Sequence, residues 1–365
     1  MRSFGYICFF LSNLESCFLF FCPFFLFHFT PLHSKTIYIL PFPSINFETL
    51  FFGDYKYNDP NSQARDETSK TWIYLRKALE KNNFAVKAPC EESPGDDVTY
   101  LISLSNIDQE SLKNFSHIPK SHRFLLVFEP PVVSLELHNP SLAEYFGKIF
   151  TLFDDVIDNE TYFKMFFPQP RLKMIQPIVD WSEKKFATLI ANDNTSDHPD
   201  ELYTARRKTI DFFERGKIKG FDLYGNSPSW VRYKNWKGAI KNKWPILRNY
   251  KFCFSYENTR GRSGYITEKI FDCFVSGCVP VYLGADSVTQ YIPKNCFISA
   301  NDFSNEKELH RFLKTMDRNT YDNYIRSIDD FLKSDQAKLF SIQHFIEIIL
   351  PHVGGGEVES VPIDS

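Results

Sequence analysis

No C-x-x-C pair occurs anywhere in the chain, and its eight cysteines (Cys8, Cys17, Cys22, Cys90, Cys253, Cys273, Cys278 and Cys296) are scattered. That spacing supports neither a zinc site nor a thioredoxin-like redox motif. Cysteines inside predicted strands and helices read as small hydrophobes. An excess of one charge is also missing. The formal net charge is −3, which gives no sign of nucleic-acid binding, and the short runs Lys184-Lys185 and Arg206-Arg207-Lys208 read as solvated faces. Internal repeats and extended low-complexity tracts are absent outside the N-terminus. What remains is a chain of 365 residues, long enough for two domains of ordinary size.

One long hydrophobic run exists, residues 4–29, rich in phenylalanine and with Glu15 as its sole acidic or basic residue. It is long enough to span a bilayer, which takes about 20 apolar residues. A central carboxylate costs about 2.5–3.5 kcal/mol on an insertion scale, which argues the other way. No small-residue cleavage site follows, so a removable signal peptide does not fit. Residues 1–34 therefore read as a membrane anchor or a disordered extension. With an anchor, the protein is membrane-associated, at the Golgi if eukaryotic or the cytoplasmic face of the inner membrane if bacterial. The sequons at Asn114, Asn159 and Asn194 would matter only in a secretory lumen.

Beyond that run, strand and helix patterns alternate. Strands are expected at Thr36–Leu40, Phe84–Lys87, Tyr100–Ser103 and Phe124–Phe128, with a helix at Ser69–Asn82. Prolines at 168, 170 and 177 place an interdomain linker at about 168–184. A second domain then opens with a strand at Phe186–Ala191, a helix at about Glu201–Glu214 and a strand ending at Tyr224. Two or three helices are expected over Glu306–Leu350, then a frayed tail. The alternation is that of an α/β fold.

Residues 251–284 carry the strongest local pattern. Lys251–Tyr256 is a short apolar strand, Thr267 an N-cap, and Ile270, Phe271, Phe274 and Val275 recur at helical spacing. Gly277 ends the helix and Val279–Leu283 is the next buried strand. In such a βαβ unit the loop after the first strand and the helix N-terminus face the ligand crevice. Lys269 in the first helical turn is poorly placed for helix stability but well placed for phosphate. An ordinary surface helix start is the competing reading of these residues alone.

The wording of the same stretch closely resembles the donor-binding signature of α-1,3-fucosyltransferases, the inverting, GDP-fucose-dependent glycosyltransferases of family 10. The resemblance rests on Tyr256-Glu257-Asn258, on Gly264-Tyr265-Ile266-Thr267-Glu268-Lys269-Ile270 and on Val279-Pro280-Val281-Tyr282-Leu283-Gly284. It continues through Tyr291-Ile292-Pro293, Phe297-Ile298 and Asn301-Asp302-Phe303. Upstream, Phe221-Asp222-Leu223-Tyr224-Gly225 is similar to the family's V-D-x-Y-G strand, and Phe128-Glu129-Pro130 to its F-E-S-P turn, with proline where serine is expected. The resemblance extends from residue 36 to about 345. The C-terminal cysteine pattern of the animal enzymes is absent.

The resemblance implies a GT-B-like α/β fold, two Rossmann-like domains facing a central cleft. It assigns residues 35–175 to an acceptor-binding domain and 176–350 to a GDP-fucose-binding domain, with 351–365 a flexible tail. It further implies fucosyl transfer to an N-acetylglucosamine or glucose unit of a glycan, with Glu129 as catalytic base. On its residues alone Glu129 is a glutamate at a strand end. Arg206 and Lys269 would hold the diphosphate, with Arg207 the alternative should the register slip. Glu268 would accept from ribose hydroxyls, Tyr265 would pack on or bond the nucleotide, and Asn258 would contact the fucose, while Glu257 sits on the opposite strand face. The pairs Asp154-Asp155, Asp193 with Asp197, and Asp329-Asp330 include no D-x-D after a buried strand, so no essential metal is expected. Partners would be GDP-fucose and a glycan, with no nucleic acid. Two other readings stand beside this one: a GT-B transferase using another nucleotide sugar, and an inactive carbohydrate-binding relative, to which Pro130 is the one pointer.

Overall fold

In a computed structural model of the chain, residues 35–40, 47–53, 66–88, 98–104 and 115–353 are described. The phenylalanine-rich segment and residues 354–365 of the expected flexible tail lie outside them. Among the described residues no helix is long and apolar enough to cross a membrane.

Two parallel sheets organise the chain. The first has the order β2-β1-β3-β4-β5-β6, built from β1 (Lys35–Leu40), β2 (Phe84–Lys87), β3 (Val98–Ser103), β4 (Arg123–Val127), β5 (Lys148–Thr151) and β6 (Tyr162–Lys164). The second has the order β11-β10-β9-β7-β8, from β7 (Lys185–Ile190), β8 (Phe221–Tyr224), β9 (Tyr250–Tyr256), β10 (Val279–Leu283) and β11 (Ile298–Ser299). Parallel strands must be covered on both faces, which is why their inner positions are continuous apolar runs such as Phe124-Leu125-Leu126-Val127. β5 and β6 are only four and three residues long, too short to show a period in sequence.

Each sheet reverses its direction of growth once, between β1 and β3 in the first and between β7 and β9 in the second. Ligand crevices of open parallel sheets lie at the C-terminal ends of strands beside such reversals. The helices that matter here are α1 (Lys70–Lys81), α2 (Tyr203–Arg215), α3 (Trp244–Leu247), α4 (Glu268–Val275), α5 (Glu306–Thr315), α6 (Arg318–Leu332) and α7 (Ile342–Ile349).

Among the described residues one large apolar core lies on each sheet, with a smaller cluster of Leu247, Tyr250, Cys253, Cys273 and Cys278 beside the second, and the chain passes from the first large core to the other and back. Met165 belongs to the first core and Met174 to the second, so the chain passes between the cores over residues 165–174. α7 then returns: Ile342, Phe345, Ile346 and Ile349 are buried in the first core, with Phe345 edge-on to Trp72 at 6.0 Å. By packing, the second lobe therefore ends near Ser341 rather than at 350. The tail is also more broken than expected. Asp317, Ser334 and Ser341 each accept a backbone N–H at the start of a helix, dividing residues 306–349 into four helices.

Candidate active site

β9 ends at Tyr256, and the next residue, Glu257, is fully buried. Its carboxylate accepts from Thr267 N at 2.9 Å and from Thr267 Oγ1 at 2.7 Å, and pairs with Lys269 Nζ at 3.2 Å. Thr267 occupies the N-cap of α4 as expected, but its hydroxyl donates to Glu257 and makes no cap bond of its own. Glu257 thus meets Lys269 instead of lying on the opposite strand face, because two-residue alternation stops where the strand does. Gly284 makes the approach possible, since a Cβ there would lie 2.6 Å from Glu257 Cγ.

α2 delivers Arg206 to the same strand end. Buried to 6% exposure, its Nη2 donates to Tyr256 O (2.8 Å), Glu257 O (2.8 Å) and Asn258 Oδ1 (2.9 Å). Its plane lies 5.0 Å over Tyr203. Burial pulls its pKa below the usual guanidinium value. Arg207 points elsewhere, pairing with Asp193 at 2.8 Å, so of the two arginines it is Arg206 that lies at the end of β9.

Glu268 and Lys269 open α4. Burial alone would raise Glu268, but Lys269 and Lys243 hold its carboxyl down at about 2. Burial opposes the Lys269 charge, and Glu268 and Glu257 overcome that to lift its pKa. Both groups are therefore ionised at neutral pH. Asn258 uses its side-chain oxygen to orient Arg206. Tyr265 is 1% exposed and stacks on Phe153 of the first core at 5.5 Å and 14°, so its ring joins the two halves.

Glu129 follows β4 in the first sheet. Burial pushes its carboxyl above the ordinary range, Lys269 draws it down, and Glu268 and Glu257 push it up. The groups that set its charge thus come from the other half of the molecule. The Glu129 carbonyl accepts from His138 Nε2 at 2.8 Å. Burial lowers the pKa of His138, and a carbonyl can only accept, so the neutral tautomer with hydrogen on Nε2 is the one present.

The loop before α4 is anchored on the first half. Asp154 accepts from Ser263 Oγ (2.8 Å) and Tyr291 OH (2.9 Å) and pairs with Lys164 (2.7 Å). Gly264, at φ +78°, packs where a Cβ would run into Leu152 O. One member of the Asp154-Asp155 pair is thus a hub between halves.

A second polar cluster backs α4. Lys243 Nζ meets Asp272 Oδ2 at 2.6 Å and Glu268 Oε1 at 3.3 Å, and Trp244 Nε1 donates to Asp272 Oδ1 at 2.7 Å. The Asp66 carboxylate, from the segment before α1, accepts from Lys243 N (2.8 and 2.9 Å) and Trp244 N (3.2 Å). Burial and the nearby Asp272 raise Asp66 to about 6. None of Asp66, Lys243, Asp272, Glu257 or His138 stood out in sequence as part of the site. The Lys243-Trp244 pair lies in the aperiodic stretch 225–249, where no period ranks one residue above another.

Residues 182–338 match the family model for the glycosyltransferase family 10 (fucosyltransferase) C-terminal region. The 4-galactosyl-N-acetylglucosaminide 3-alpha-L-fucosyltransferase 9 of Mus musculus is 31% identical over 153 residues, 41% of this chain and 38% of that protein. The alpha-(1,3)-fucosyltransferase FucT of Helicobacter pylori is 40% identical over 75 residues, 20% of this chain and 16% of that protein. The chain thus matches well under half the length of these relatives. A crystal structure of an alpha1,3-fucosyltransferase with GDP-fucose superposes with a TM-score of 0.53 at 17% identity, covering 90% of this chain and 93% of that one. That likeness bears on the fold alone, and the fold is the expected GT-B α/β architecture.

Proposed function

We propose that this chain, whose residues 182–338 match the model for the family 10 fucosyltransferase C-terminal region, moves L-fucose from GDP-β-L-fucose to a hydroxyl of an N-acetylglucosamine or glucose unit, with inversion. The observation that carries the reading is the buried charged cluster at the end of β9 and the start of α4, where Arg206 donates to Glu257 O and Lys269 pairs with Glu257 and Glu268, within the region that matches the family 10 fucosyltransferase model.

The chemistry follows from that arrangement. The bond between fucose C1 and the β-phosphate oxygen breaks, its electrons leaving with GDP. Arg206 and Lys269 stabilise the growing charge on the diphosphate. The acceptor oxygen attacks C1 from the opposite face and its proton passes to Glu129. A carboxyl raised by burial is a stronger base than a solvated one. Glu268 accepts from the ribose hydroxyls and Asn258 contacts the fucose. No divalent ion is needed where two cations already face the diphosphate. Residues 4–29 attach the protein to a membrane in this proposal, leaving the catalytic part unaffected.

Nucleotide choice is the first test. Thermal shift should show stabilisation by GDP and GDP-fucose but not by UDP or CMP. Stabilisation by UDP alone would favour a transferase using another donor. GDP binding with no fucose transfer to any acceptor of a glycan panel would favour an inactive carbohydrate-binding relative.

A further inference from the structure

On the reading that this site holds GDP-fucose, we propose that Asp66 is a positioning residue for the donor: from the first half of the chain it fixes the turn at 243–244, whose side chains fix Glu268 and Asp272 on α4.

The segment carrying Asp66 is built at a cost. Asp66 and Glu67 have φ of 49° and 60°, a left-handed conformation unfavourable for any residue with a Cβ. Both are also buried, at 2% and 7% exposure, where a charged group persists only with partners. Their partners lie beyond their own element. The Asp66 carboxylate takes the backbone N–H groups of Lys243 and Trp244, and Asp66 N donates to Asn242 Oδ1 at 3.3 Å. Glu67 pairs with Arg171 at 3.2 Å, and the Arg171 guanidinium lies 5.6 Å over the Trp244 ring. Two struts therefore converge on one turn.

The turn has little order of its own. α3 is four residues long with Pro245 in its first turn, far below the length at which a helix holds itself. Yet its first residues orient the donor helix. Lys243 and Trp244 engage the two oxygens of Asp272 separately. The ammonium groups of Lys243 and Lys269 both bear on Oε1 of Glu268, leaving Oε2 as the acceptor for ribose hydroxyls. Releasing the Asp66 cap frees Lys243 to tilt and unsets Glu268 without touching any reacting atom.

The test is a double-variant cycle on the full chain, read by GDP calorimetry and GDP-fucose kinetics. Asp66→Ala should weaken GDP binding by about 10-fold. It should raise the donor KM similarly, with kcat within about 2-fold of wild type, as loss of ground-state binding does. In a Lys243→Met background the same change should have a clearly smaller effect, because the arm from Asp66 to Glu268 is already cut and only the one through Trp244 to Asp272 remains. Should Asp66→Ala not fold, Asp66→Ser, which keeps a shorter acceptor, is measured in its place. Wild-type GDP affinity in the Asp66 variant, or an effect that adds in full to that of Lys243→Met, overturns the inference and leaves the donor reading standing. A wild-type protein that binds no GDP overturns the donor reading, and the inference falls with it.

Discussion

Removing the Lys269 ammonium should do two separable things. On the proposed reading it takes a charge-assisted contact from the departing diphosphate, worth about 2–4 kcal/mol of transition-state stabilisation. At 1.36 kcal/mol per decade, that is a fall of roughly 30- to 1,000-fold in kcat/KM. The structure adds a second cost. Glu257 is fully buried and its carboxylate lies 3.2 Å from Lys269. Breaking one partner of a buried pair strands the other charge, typically at about 3–5 kcal/mol. Lys269 is itself 24% exposed, and Thr267 still donates two hydrogen bonds to Glu257, so the lower end of that range applies. Lys269→Met should therefore lose activity and melt several degrees lower. Adding Glu257→Gln removes the stranded charge while keeping an acceptor for Thr267, and should recover most of the melting temperature but none of the turnover. Thermal melts and steady-state kinetics with GDP-fucose on the wild type, both single variants and the double decide the matter. Turnover that returns together with stability would refute a direct role for Lys269 on the leaving group, as would wild-type kinetics in Lys269→Met.

Glu129→Gln should keep donor binding in calorimetry while transfer falls by about 10²–10⁴-fold; turnover within a few-fold of wild type would make Glu129 structural. Because the base must be ionised, the wild-type kcat/KM should fall as pH drops through the pKa of Glu129, on a limb above the ordinary glutamate range. The same upward shift means the folded state holds this proton more tightly than the unfolded one, so stability is lost as pH rises through the folded pKa. Glu129→Gln should then melt above the wild type at pH 8, with the gap closing on acidification, whereas a variant that melts lower at pH 8 contradicts the buried-charge argument. Deleting residues 1–33 should give a soluble protein with unchanged kcat, and failure to fold would show that those phenylalanines are core. Gly264→Ala should weaken donor binding by detaching the 259–266 loop from Leu152 and Asp154; unchanged GDP affinity would show that the loop's seat is irrelevant to the donor.

Elements with a long period were legible in the sequence, as were those bounded by strong punctuation. The strand at Lys251–Tyr256, the helix begun by Thr267 and stopped before Gly277, and the amphipathic α1 and α2 all form within a residue or two of expectation. The helices that carry Arg206 and Lys269 were legible too, and the structure brings both side chains to the end of β9. What escaped was whatever depends on contact between distant segments. Glu257 turns inward because its strand has ended, Tyr265 is claimed by Phe153, and α7 crosses back to the first core. No local pattern encodes those three outcomes. Asp66 and Lys243 are 177 residues apart, and nothing in either neighbourhood announces the other.

The proposed reaction is inverting transfer from GDP-β-L-fucose without a required metal. Its most direct measurement is NMR analysis of the product formed when the protein, beginning near Ser34, is incubated with GDP-β-L-fucose, an N-acetylglucosamine-containing acceptor panel and EDTA. An α-linked fucoside on at least one acceptor and release of one GDP per fucose transferred are expected. A β-linked product, hydrolysis alone, or transfer that appears only when a divalent ion is restored would contradict it.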